Sequence, residues 1–275
     1  MELNGRHVVV TGGAGGIGSA LLRRFAAEGA RALVVADRDG AGAQAIADEL
    51  RAAAPQLQAL AVEFDAGREQ SVRELIEQAE QASGAIDVFV SNAGVGGAGG
   101  GPEAPDEAWD EAWRVNVMAH VWASRALLPG MLERGEGYLI NTASAAGLLT
   151  QVSSLIYSVT KHAAVALAEW LAIEYTERGV RVSCICPQGV RTRMLEEGMQ
   201  EAAAAAALES GGLIEPADVA EAVVAGIAEE RFLILPHENV KGFMAFKGAE
   251  PERWLKGMRR LVREARAGAP QQTPG

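Results

Sequence analysis

The chain has 275 residues, 49% of them hydrophobic, and a formal net charge of −11. This length and composition suffice for one large hydrophobic core, and the acidic balance argues against nucleic acid or anionic membrane surfaces as partners. The two cysteines exclude a disulfide scaffold, and the four histidines lack the spacing of metal ligands, so we expect no metal site.

The first six residues are short and polar, and the apolar run after them, residues 8–10, leads directly into a glycine turn. A secretory signal would need a longer apolar region, and no apolar run in the chain is long enough to span a membrane. We therefore expect a cytoplasmic protein that does not associate with membranes.

A glycine-rich turn joins the first predicted strand, residues 7–11, to a helix with apolar periodicity over residues 20–28. Strand, glycine turn and helix are the parts of a dinucleotide-binding unit, in which backbone N–H groups approach a pyrophosphate at the helix N-terminus. The expected cofactor contacts in this turn are Gly12, Ala14, Gly15, Gly16, Ile17 and Gly18.

The second predicted strand, residues 32–36, ends in Asp37. A carboxylate at this position accepts hydrogen bonds from both hydroxyls of an adenosine ribose and repels a 2′-phosphate, which favours NAD over NADP. Arg38 follows directly, and its guanidinium could either pair with such a phosphate or be a solvated loop charge.

Apolar runs alternate with helical patterns along the rest of the chain. This alternation predicts an α/β protein with a Rossmann-type, doubly wound, seven-stranded parallel sheet in a single domain, residues 1–267, followed by a disordered tail, residues 268–275. Ligands bind beyond the carboxyl ends of the strands in such sheets. The residues at those ends are Gly12, Asp37, Asp65, Asn92, Ser144 and Pro187, and the seven predicted strands are residues 8–10, 32–36, 60–64, 88–91, 138–142, 180–186 and 232–235.

Ser144, Tyr157 and Lys161 form a Ser-x12-Tyr-x3-Lys array. Tyr157 and Lys161 are four residues apart in a predicted helix, residues 157–177, so they share one helix face. An ammonium beside a phenol lowers the pKa of the phenol toward the range of general acid/base catalysis, and Ser144 could hold a substrate oxygen. Taken alone, Tyr-x3-Lys also occurs as a solvated pair on ordinary helices.

Four further motifs accompany this array in order. They are TGGAGGIG at residues 11–18, SNAG at 91–94, RVNV at 114–117 and PQGVRT at 187–192. With these motifs the chain resembles the classical short-chain dehydrogenases/reductases from its first strand to about residue 230. The corresponding family motifs are the TGxxxGxG turn, NNAG, a helix asparagine and PGxVxT. The resemblance covers nearly the whole chain.

The resemblance implies specific roles for the matching residues. The catalytic tetrad would be Asn116, Ser144, Tyr157 and Lys161, with Asn116 holding a water that joins the lysine to bulk solvent. Asp65 would line the adenine pocket, and Val190 and Thr192 would meet the nicotinamide carboxamide. The remaining implied cofactor contacts are Ala66, Asn92, Ala93, Gly94, Val115, Tyr157, Lys161 and Pro187.

Two residues depart from the family pattern. Ser91 replaces the first asparagine of NNAG, which could loosen packing around the central strand. Gln188 replaces the glycine after Pro187, which narrows the backbone conformations beside the nicotinamide, and its side chain could point into the substrate cavity. The expected substrate contacts, mostly apolar and uncharged, are Gly96, Ser144, Ala145, Gln151, Tyr157, Gln188 and Met194, a set that predicts a hydrophobic or neutral alcohol.

Four segments leave alternatives open. The predicted helices 105–133 and 157–177 carry four tryptophans that belong either to the core or to an interface, and by resemblance these helices form the dimer contact of a homodimer or tetramer. Residues 193–212 are either a lid over the substrate or a plain surface helix. The basic amphipathic helix 254–266 docks on the body or on a neighbouring subunit, with a membrane surface as the other candidate.

The sequence thus predicts an NAD-dependent oxidoreductase that interconverts a secondary alcohol and a ketone. One alternative is an NADPH-dependent 3-oxoacyl carrier-protein reductase, which Asp37 disfavours. The other is a non-catalytic NAD-binding regulator, which would have no need of Lys161 beside Tyr157.

Overall fold

Short buried runs of valine, leucine, isoleucine and alanine form the strands of a parallel sheet in the computed structural model, which describes residues 1–96, 100–193, 195 and 212–268. Strands covered by helices on both faces read as continuous apolar runs, because neither face meets water. The strands are β1 (His7–Thr11), β2 (Ala32–Asp37), β3 (Gln58–Glu63), β4 (Val88–Ser91), β5 (Gly137–Thr142), β6 (Val180–Ile185), β7 (Gly189–Val190), β8 (Leu213–Ile214) and β9 (Leu233–Ile234).

Seven of these strands pair in the order β3-β2-β1-β4-β5-β6-β9, all of them parallel, while β7 and β8 pair separately. This order reverses between β1 and β4, as in a doubly wound sheet. The predicted Rossmann-type α/β fold with a seven-stranded parallel sheet is confirmed. The seventh strand is shorter than predicted, because only Leu233 and Ile234 pair with β6.

Helices cover both faces of the sheet. Helices α1, α2 and α8 bury their apolar sides against one face, and α3, α5 and α7 against the other. The helices are α1 (Gly16–Ala27), α2 (Gly40–Ala53), α3 (Glu69–Ser83), α4 (Asp106–Trp113), α5 (Ala119–Arg134), α6 (Ala146–Leu149), α7 (Leu155–Tyr175), α8 (Pro216–Ala228), α9 (Asn239–Ala249) and α10 (Pro251–Gly268).

The predicted helix 105–133 is divided in the structure. A π-helical turn, Arg114–Met118, lies between α4 and α5 and carries Asn116 at its centre. A π-turn accommodates one extra residue in a helix and is frequent at functional sites. Here the Asn116 side chain bonds the backbone of Val95 in another segment, a tertiary contact that periodicity alone does not reveal.

Helix α7 begins two residues earlier than predicted, after Ser154. The Ser154 hydroxyl accepts a hydrogen bond from the backbone N–H of Tyr157 at 3.2 Å, the usual role of an N-cap serine. This cap fixes the first turn of α7, where Tyr157 lies.

The C-terminal helices pack beside α6. Val240 of α9 joins Ala145 and Leu149 in a small apolar cluster, and Lys247 Nζ donates a hydrogen bond to the Leu148 carbonyl at 2.6 Å. The predicted helix 254–266 lies within α10, which begins at Pro251, and its Trp254 contacts the ring of Phe243 with centroids 6.2 Å apart. Most of the predicted lid and tail, residues 196–211 and 269–275, lies outside the described residues.

The described residues contain neither a membrane-spanning helix nor a metal-binding cluster. No helix in this part of the chain is long and apolar enough to cross a membrane. Over the same residues, no group of three or more His, Cys, Asp or Glu side chains is arranged to hold a metal ion.

Candidate active site

Six sequence-predicted site residues meet along one edge of the sheet. Each follows the carboxyl end of a strand, and because the strands are parallel these ends share an edge. The residues are Gly12 after β1, Asp37 at the end of β2, Asp65 after β3, Asn92 after β4, Ser144 after β5 and Pro187 after β6.

The glycine turn after β1 is held against the end of β4. A Cβ on Gly18 would lie 2.0 Å from the Gly12 carbonyl oxygen, so only glycine fits at position 18. The Thr11 hydroxyl accepts hydrogen bonds from the backbone N–H groups of Asn92 at 2.9 Å and Ala93 at 3.0 Å. The Asn92 side chain in turn donates to the Thr11 carbonyl at 3.0 Å, so β1 and β4 end in one rigid unit.

A cavity of about 650 Å³ opens beside this turn. Cavities of a few hundred cubic ångströms suit small-molecule ligands. Asp37 lies at its wall, where one carboxylate oxygen accepts from the Ala14 N–H and the other from the Asp39 N–H, both at 3.0 Å. The predicted contacts that line it are Gly12, Asp37, Arg38, Asp65, Ala66, Ala93, Gly94 and Val115.

Ser144, Tyr157 and Lys161 come together beyond β5. Ser144 is buried, and its hydroxyl accepts from the Ala146 N–H at 3.1 Å and donates to the Pro187 carbonyl at 3.4 Å. Lys161, only 3% exposed, donates from Nζ to the Thr142 carbonyl at 3.0 Å, and the same atom lies 5.6 Å from the centre of the Tyr157 ring. Spacing along α7 therefore does set the ammonium beside the phenol.

The electrostatics of this group differ from the sequence-based expectation. Burial is the largest influence on Tyr157 and raises the pKa of its phenol, while its hydrogen bond with the Ser144 hydroxyl acts in the opposite direction. Burial also lowers the pKa of Lys161 to about 8. The expected lowering of the Tyr157 pKa by Lys161 is therefore wrong for the protein without a cofactor, because desolvation penalises the charged forms of both groups.

Asn116 ties the π-turn to the segment after β4. Its side-chain oxygen accepts from the Val95 N–H at 2.9 Å, and its amide nitrogen donates to the Val95 carbonyl at 3.0 Å and to the Thr160 hydroxyl at 3.2 Å. A Cβ on Gly94 would lie 3.2 Å from Asn116 Oδ1 and 3.4 Å from Lys161 Nζ. Glycine at position 94 thus lets Asn116 and Lys161 approach the same stretch of backbone.

The loop after β6 joins three parts of the site. The Ala145 N–H donates to the Pro187 carbonyl at 2.8 Å, and the Arg191 N–H donates to the Ile214 carbonyl at 3.0 Å. Thr192 Cγ2 lies 3.1 Å from the position of a Cβ on Gly16, so this loop also meets the glycine turn. Val190 is buried within β7.

The predicted substrate contacts are only partly gathered at this edge. Ala145 is buried beside Ser144, and Gln151 is held by its side-chain hydrogen bond to the Ser153 hydroxyl at 2.8 Å. The Gln188 side-chain oxygen is buried without a hydrogen-bond partner among the described residues. Gly96 precedes a gap in the described residues, and Met194 lies outside them.

Comparison with known proteins decides the family. The model of the short chain dehydrogenase family matches residues 6–203. The chain belongs to the short-chain dehydrogenase family. It is therefore an oxidoreductase of alcohol and ketone substrates, like the named dehydrogenases among its relatives.

Three similar proteins illustrate this membership. A 1-deoxy-11-beta-hydroxypentalenate dehydrogenase of Streptomyces exfoliatus is 38% identical over 88% of this chain and 86% of its own. A short-chain dehydrogenase/reductase of Burkholderia phymatum, solved in complex with NAD, superposes with a TM-score of 0.82 at 32% identity, covering 92% of this chain and 96% of its own. A 3-ketoacyl-(acyl-carrier-protein) reductase of Brucella melitensis, solved with NADH, has a TM-score of 0.75 at 31% identity, covering 85% and 96%.

Two histidines of this short-chain dehydrogenase have surroundings that sequence reasoning missed. His120 is 1% exposed, and neither ring nitrogen makes a hydrogen bond of ordinary geometry among the described residues, although the Asn141 side chain lies near enough to oppose the lowering of its pKa. Burial first, and the charge of Lys161 second, lower the pKa of His120 to about 4, so its ring is neutral at pH 7. His237 bonds the loop after β6 at Gln188 and Gly189. Only tertiary structure brings either histidine to the site.

Proposed function

We propose that this short-chain dehydrogenase is an NAD-dependent enzyme that interconverts a secondary alcohol and a ketone, with Asn116, Ser144, Tyr157 and Lys161 as its catalytic groups. The observation that carries the proposal is the buried cluster beyond β5, in which Lys161 Nζ lies 5.6 Å from the Tyr157 ring and the Ser144 hydroxyl acts on the phenol. A pure binding site would gain nothing from burying an ammonium beside a phenol, since both charged forms are costly there.

These side chains supply the proton chemistry. In the oxidative direction Tyr157 takes the proton of the substrate hydroxyl, and in the reductive direction it returns a proton to the carbonyl oxygen. Ser144 holds that oxygen by a hydrogen bond, and the Lys161 ammonium stabilises the phenolate as it forms. Asn116 keeps the π-turn in place and maintains a water path between Lys161 and solvent.

The residues present fit a nicotinamide dinucleotide. The Gly12–Gly18 turn closes so tightly that position 18 has no room for a Cβ, and Gly12 lines a cavity of about 650 Å³, a size that suits a ligand of this class. Asp65, Ala66, Asn92, Ala93, Gly94 and Val115 would hold its adenosine side, and Lys161, Pro187, Val190 and Thr192 its nicotinamide side. When bound, the nicotinamide exchanges a hydride with the substrate carbon.

Asp37 supports NAD rather than NADP as that cofactor. Two backbone N–H groups fix its carboxylate at the cavity wall, where a negative charge attracts ribose hydroxyls and opposes a 2′-phosphate. The relative of Burkholderia phymatum was solved with NAD. Arg38 lines the same cavity. Its guanidinium is the group that would pair with the 2′-phosphate of NADP if the Asp37 carboxylate did not exclude that phosphate.

The substrate class follows from the predicted contacts Gly96, Ser144, Ala145, Gln151, Tyr157, Gln188 and Met194, none of which carries a formal charge at neutral pH. We infer a hydrophobic or neutral secondary alcohol. The Streptomyces exfoliatus relative is named for a hydroxylated carboxylate, which agrees with an alcohol as the reacting group and gives no support for a neutral substrate.

A second candidate, a 3-oxoacyl carrier-protein reductase, is favoured by the likeness to the Brucella melitensis enzyme. That enzyme was solved with NADH, so cofactor choice alone does not separate the two functions. The formal net charge of −11 disfavours docking of an acidic carrier protein.

We also propose a cytoplasmic homo-oligomer, either dimer or tetramer. Large apolar side chains are exposed on α4 and α7, among them Trp113 at 42%, Trp170 at 56% and Ile173 at 77%. Exposed apolar groups on neighbouring helices are typical of subunit interfaces.

The test is a titration with NADH and NADPH followed by nicotinamide fluorescence, and then turnover at saturating cofactor. The candidate substrates are apolar ketones and secondary alcohols, small carboxylates, and a 3-oxo thioester bound to an acyl carrier protein, each tested separately. Tighter NADH binding and turnover of apolar ketones are expected. Turnover of the carrier-bound thioester alone, with either cofactor, would replace this function with the second candidate, and NADPH preference would overturn the choice of NAD.

A further inference from the structure

His237 lies next to the loop that follows β6 because of strand order. Strand β9 pairs with β6, and the Cys186 N–H donates to the Ile234 carbonyl at 2.9 Å. Two neighbouring parallel strands end at the same edge, so the segments after them meet. His237 comes three residues after Ile234, is 4% exposed, and its carbonyl accepts from the Val240 N–H at 3.2 Å, near the start of α9.

Both ring nitrogens of His237 bond consecutive residues of that loop. The Gln188 N–H donates to Nδ1 at 3.1 Å, and Nε2 faces the Gly189 carbonyl at 3.2 Å. An N–H group donates only to an unprotonated nitrogen, so Nδ1 carries no proton and Nε2–H is the donor to Gly189. Burial is the largest influence on His237 and lowers its pKa, which keeps this neutral form at pH 7.

The two bonds act where the loop turns toward the proposed nicotinamide site. Gly189 begins β7, and Val190 and Thr192 follow within three residues. On its other side β7 pairs with β8, and the Pro187 carbonyl is bonded by the Ala145 N–H next to Ser144. His237 therefore adds a third support at the Gln188–Gly189 peptide, between the Ser144 segment and the β7–β8 pair, and its ring also bonds the backbone of Gly212 directly before β8.

We propose that His237 is a positioning residue for the cofactor, whose neutral imidazole holds the Gln188–Gly189 peptide so that Val190 and Thr192 face the nicotinamide carboxamide. This inference rests on the proposed function, since it requires a nicotinamide at that loop. It also assigns a partner to the backbone of Gln188, the residue that replaces a glycine of the family motif.

The test compares NADH with ADP-ribose, a probe that keeps the adenosine, the pyrophosphate and the second ribose and lacks only the nicotinamide ring. Three variants test the two hydrogen bonds of the His237 ring separately. His237→Leu removes both, His237→Asn keeps an acceptor near the position of Nδ1, and His237→Gln keeps a donor near the position of Nε2. His7→Leu is the matched control, because His7 is also fully buried and bonds backbone carbonyls, of Gly84 and Ala85, at the opposite edge of the sheet.

The expected result is that His237→Leu raises the Kd for NADH about tenfold or more while the Kd for ADP-ribose changes less than about twofold. His237→Asn and His237→Gln should each lose part of the affinity for NADH and keep the affinity for ADP-ribose. If His237→Leu does not fold, these two variants test the inference in its place. His7→Leu should leave the ratio of the two Kd values unchanged.

Two results would overturn the inference. One is a folded His237→Leu protein with wild-type NADH affinity, and the other is an equal loss for NADH and ADP-ribose, which would indicate general loosening of the fold. Wild-type protein that binds neither probe would instead contradict the proposed function, and the inference with it.

Discussion

Lys161 donates a hydrogen bond from its buried ammonium to the carbonyl oxygen of Thr142 at 3.0 Å. Thr142 is the last residue of β5, so the ammonium is fixed to the end of the strand that precedes Ser144. One carbonyl does not replace the hydration that this charge has in water, and burial accordingly lowers the pKa of Lys161 to about 8. The site therefore holds a charge at the expense of stability.

Replacing Lys161 with methionine should stabilise the cofactor-free protein. The folded pKa of about 8 lies below the ordinary 10.5, so the unfolded chain binds the proton more tightly between these values. The penalty is full below pH 8 and disappears as the pH rises to 10.5. We expect Lys161→Met to raise the free energy of unfolding by up to ~3 kcal/mol at pH 7 and by little at pH 10.5.

Urea unfolding of wild type and Lys161→Met at several pH values measures this difference. Lys256→Met, at an exposed position of α10, is the control and should leave the free energy of unfolding nearly unchanged. A Lys161→Met protein less stable than wild type at pH 7 would mean that the ammonium contributes net favourable contacts.

The phenol of Tyr157 should stay protonated in the cofactor-free protein through neutral and mildly alkaline pH. Burial raises its pKa above the ordinary value of 10, in spite of its hydrogen bond with Ser144. The phenolate absorbance of wild type minus that of Tyr157→Phe, followed from pH 7 to 10, should show less ionisation of this residue at each pH than free tyrosine shows. Ionisation near pH 8 would instead mean that the charge of Lys161 lowers the pKa of the phenol more than burial raises it, before any cofactor binds.

Replacement by alanine should change the free energy of unfolding by unequal amounts at two glycines of the same turn. In Gly18→Ala the new Cβ would meet the Gly12 carbonyl oxygen at 2.0 Å, and backbone cannot yield as a flexible side chain can. We expect this variant to lose about 2 kcal/mol or more of unfolding free energy, and its NADH binding with it. Gly15 has extended backbone and nothing within 4 Å of a Cβ, so Gly15→Ala should change the cofactor-free stability by less than about 1 kcal/mol.

Chemical denaturation without cofactor checks this pair of variants, and equal stability of the two would contradict the packing argument. The cofactor-free protein is the appropriate sample, because a bound ligand would itself add to the stability.

Asp37 and Arg38 should make unequal contributions to cofactor choice. Asp37→Ala removes the negative charge at the cavity wall and two hydrogen bonds from backbone N–H groups. NADH binding should therefore weaken about tenfold, and the ratio of the Kd for NADPH to the Kd for NADH should fall. Arg38→Ala should leave the Kd for NADH nearly unchanged. Fluorescence titration of wild type and both variants with NADH and NADPH measures the six constants, and loss of NADH affinity in Arg38→Ala alone would reverse the assignment.

The parts of this molecule that depend on local pattern were predictable from the sequence. The strands of the sheet, the glycine turn and the positions of Asp37 and Ser144 at strand ends follow from apolar runs and the residues that stop them. Tyr157 and Lys161 share a helix face because of their spacing. These features need no knowledge of distant contacts.

The features that the sequence did not reveal all depend on tertiary contacts. The π-turn at Asn116 is tied to Val95, 21 residues away, and His237 reaches Gln188 across 49 residues. The direction of the Tyr157 pKa shift depends on how deeply the phenol is buried, which helix spacing does not tell. The local sequence predicts which residues lie at strand ends. It does not predict their protonation states or the distant residues that hold them in place.

The measurement that tests the central claim most directly is NADH-dependent reduction of an accepted ketone by wild type and by Tyr157→Phe, with NADH affinity determined on the same samples. Loss of the phenolic hydroxyl should lower kcat by roughly 10²- to 10⁴-fold, the usual contribution of a general acid, and leave the Kd for NADH unchanged. Wild-type turnover in Tyr157→Phe would show that the proton comes from another group and would contradict the account.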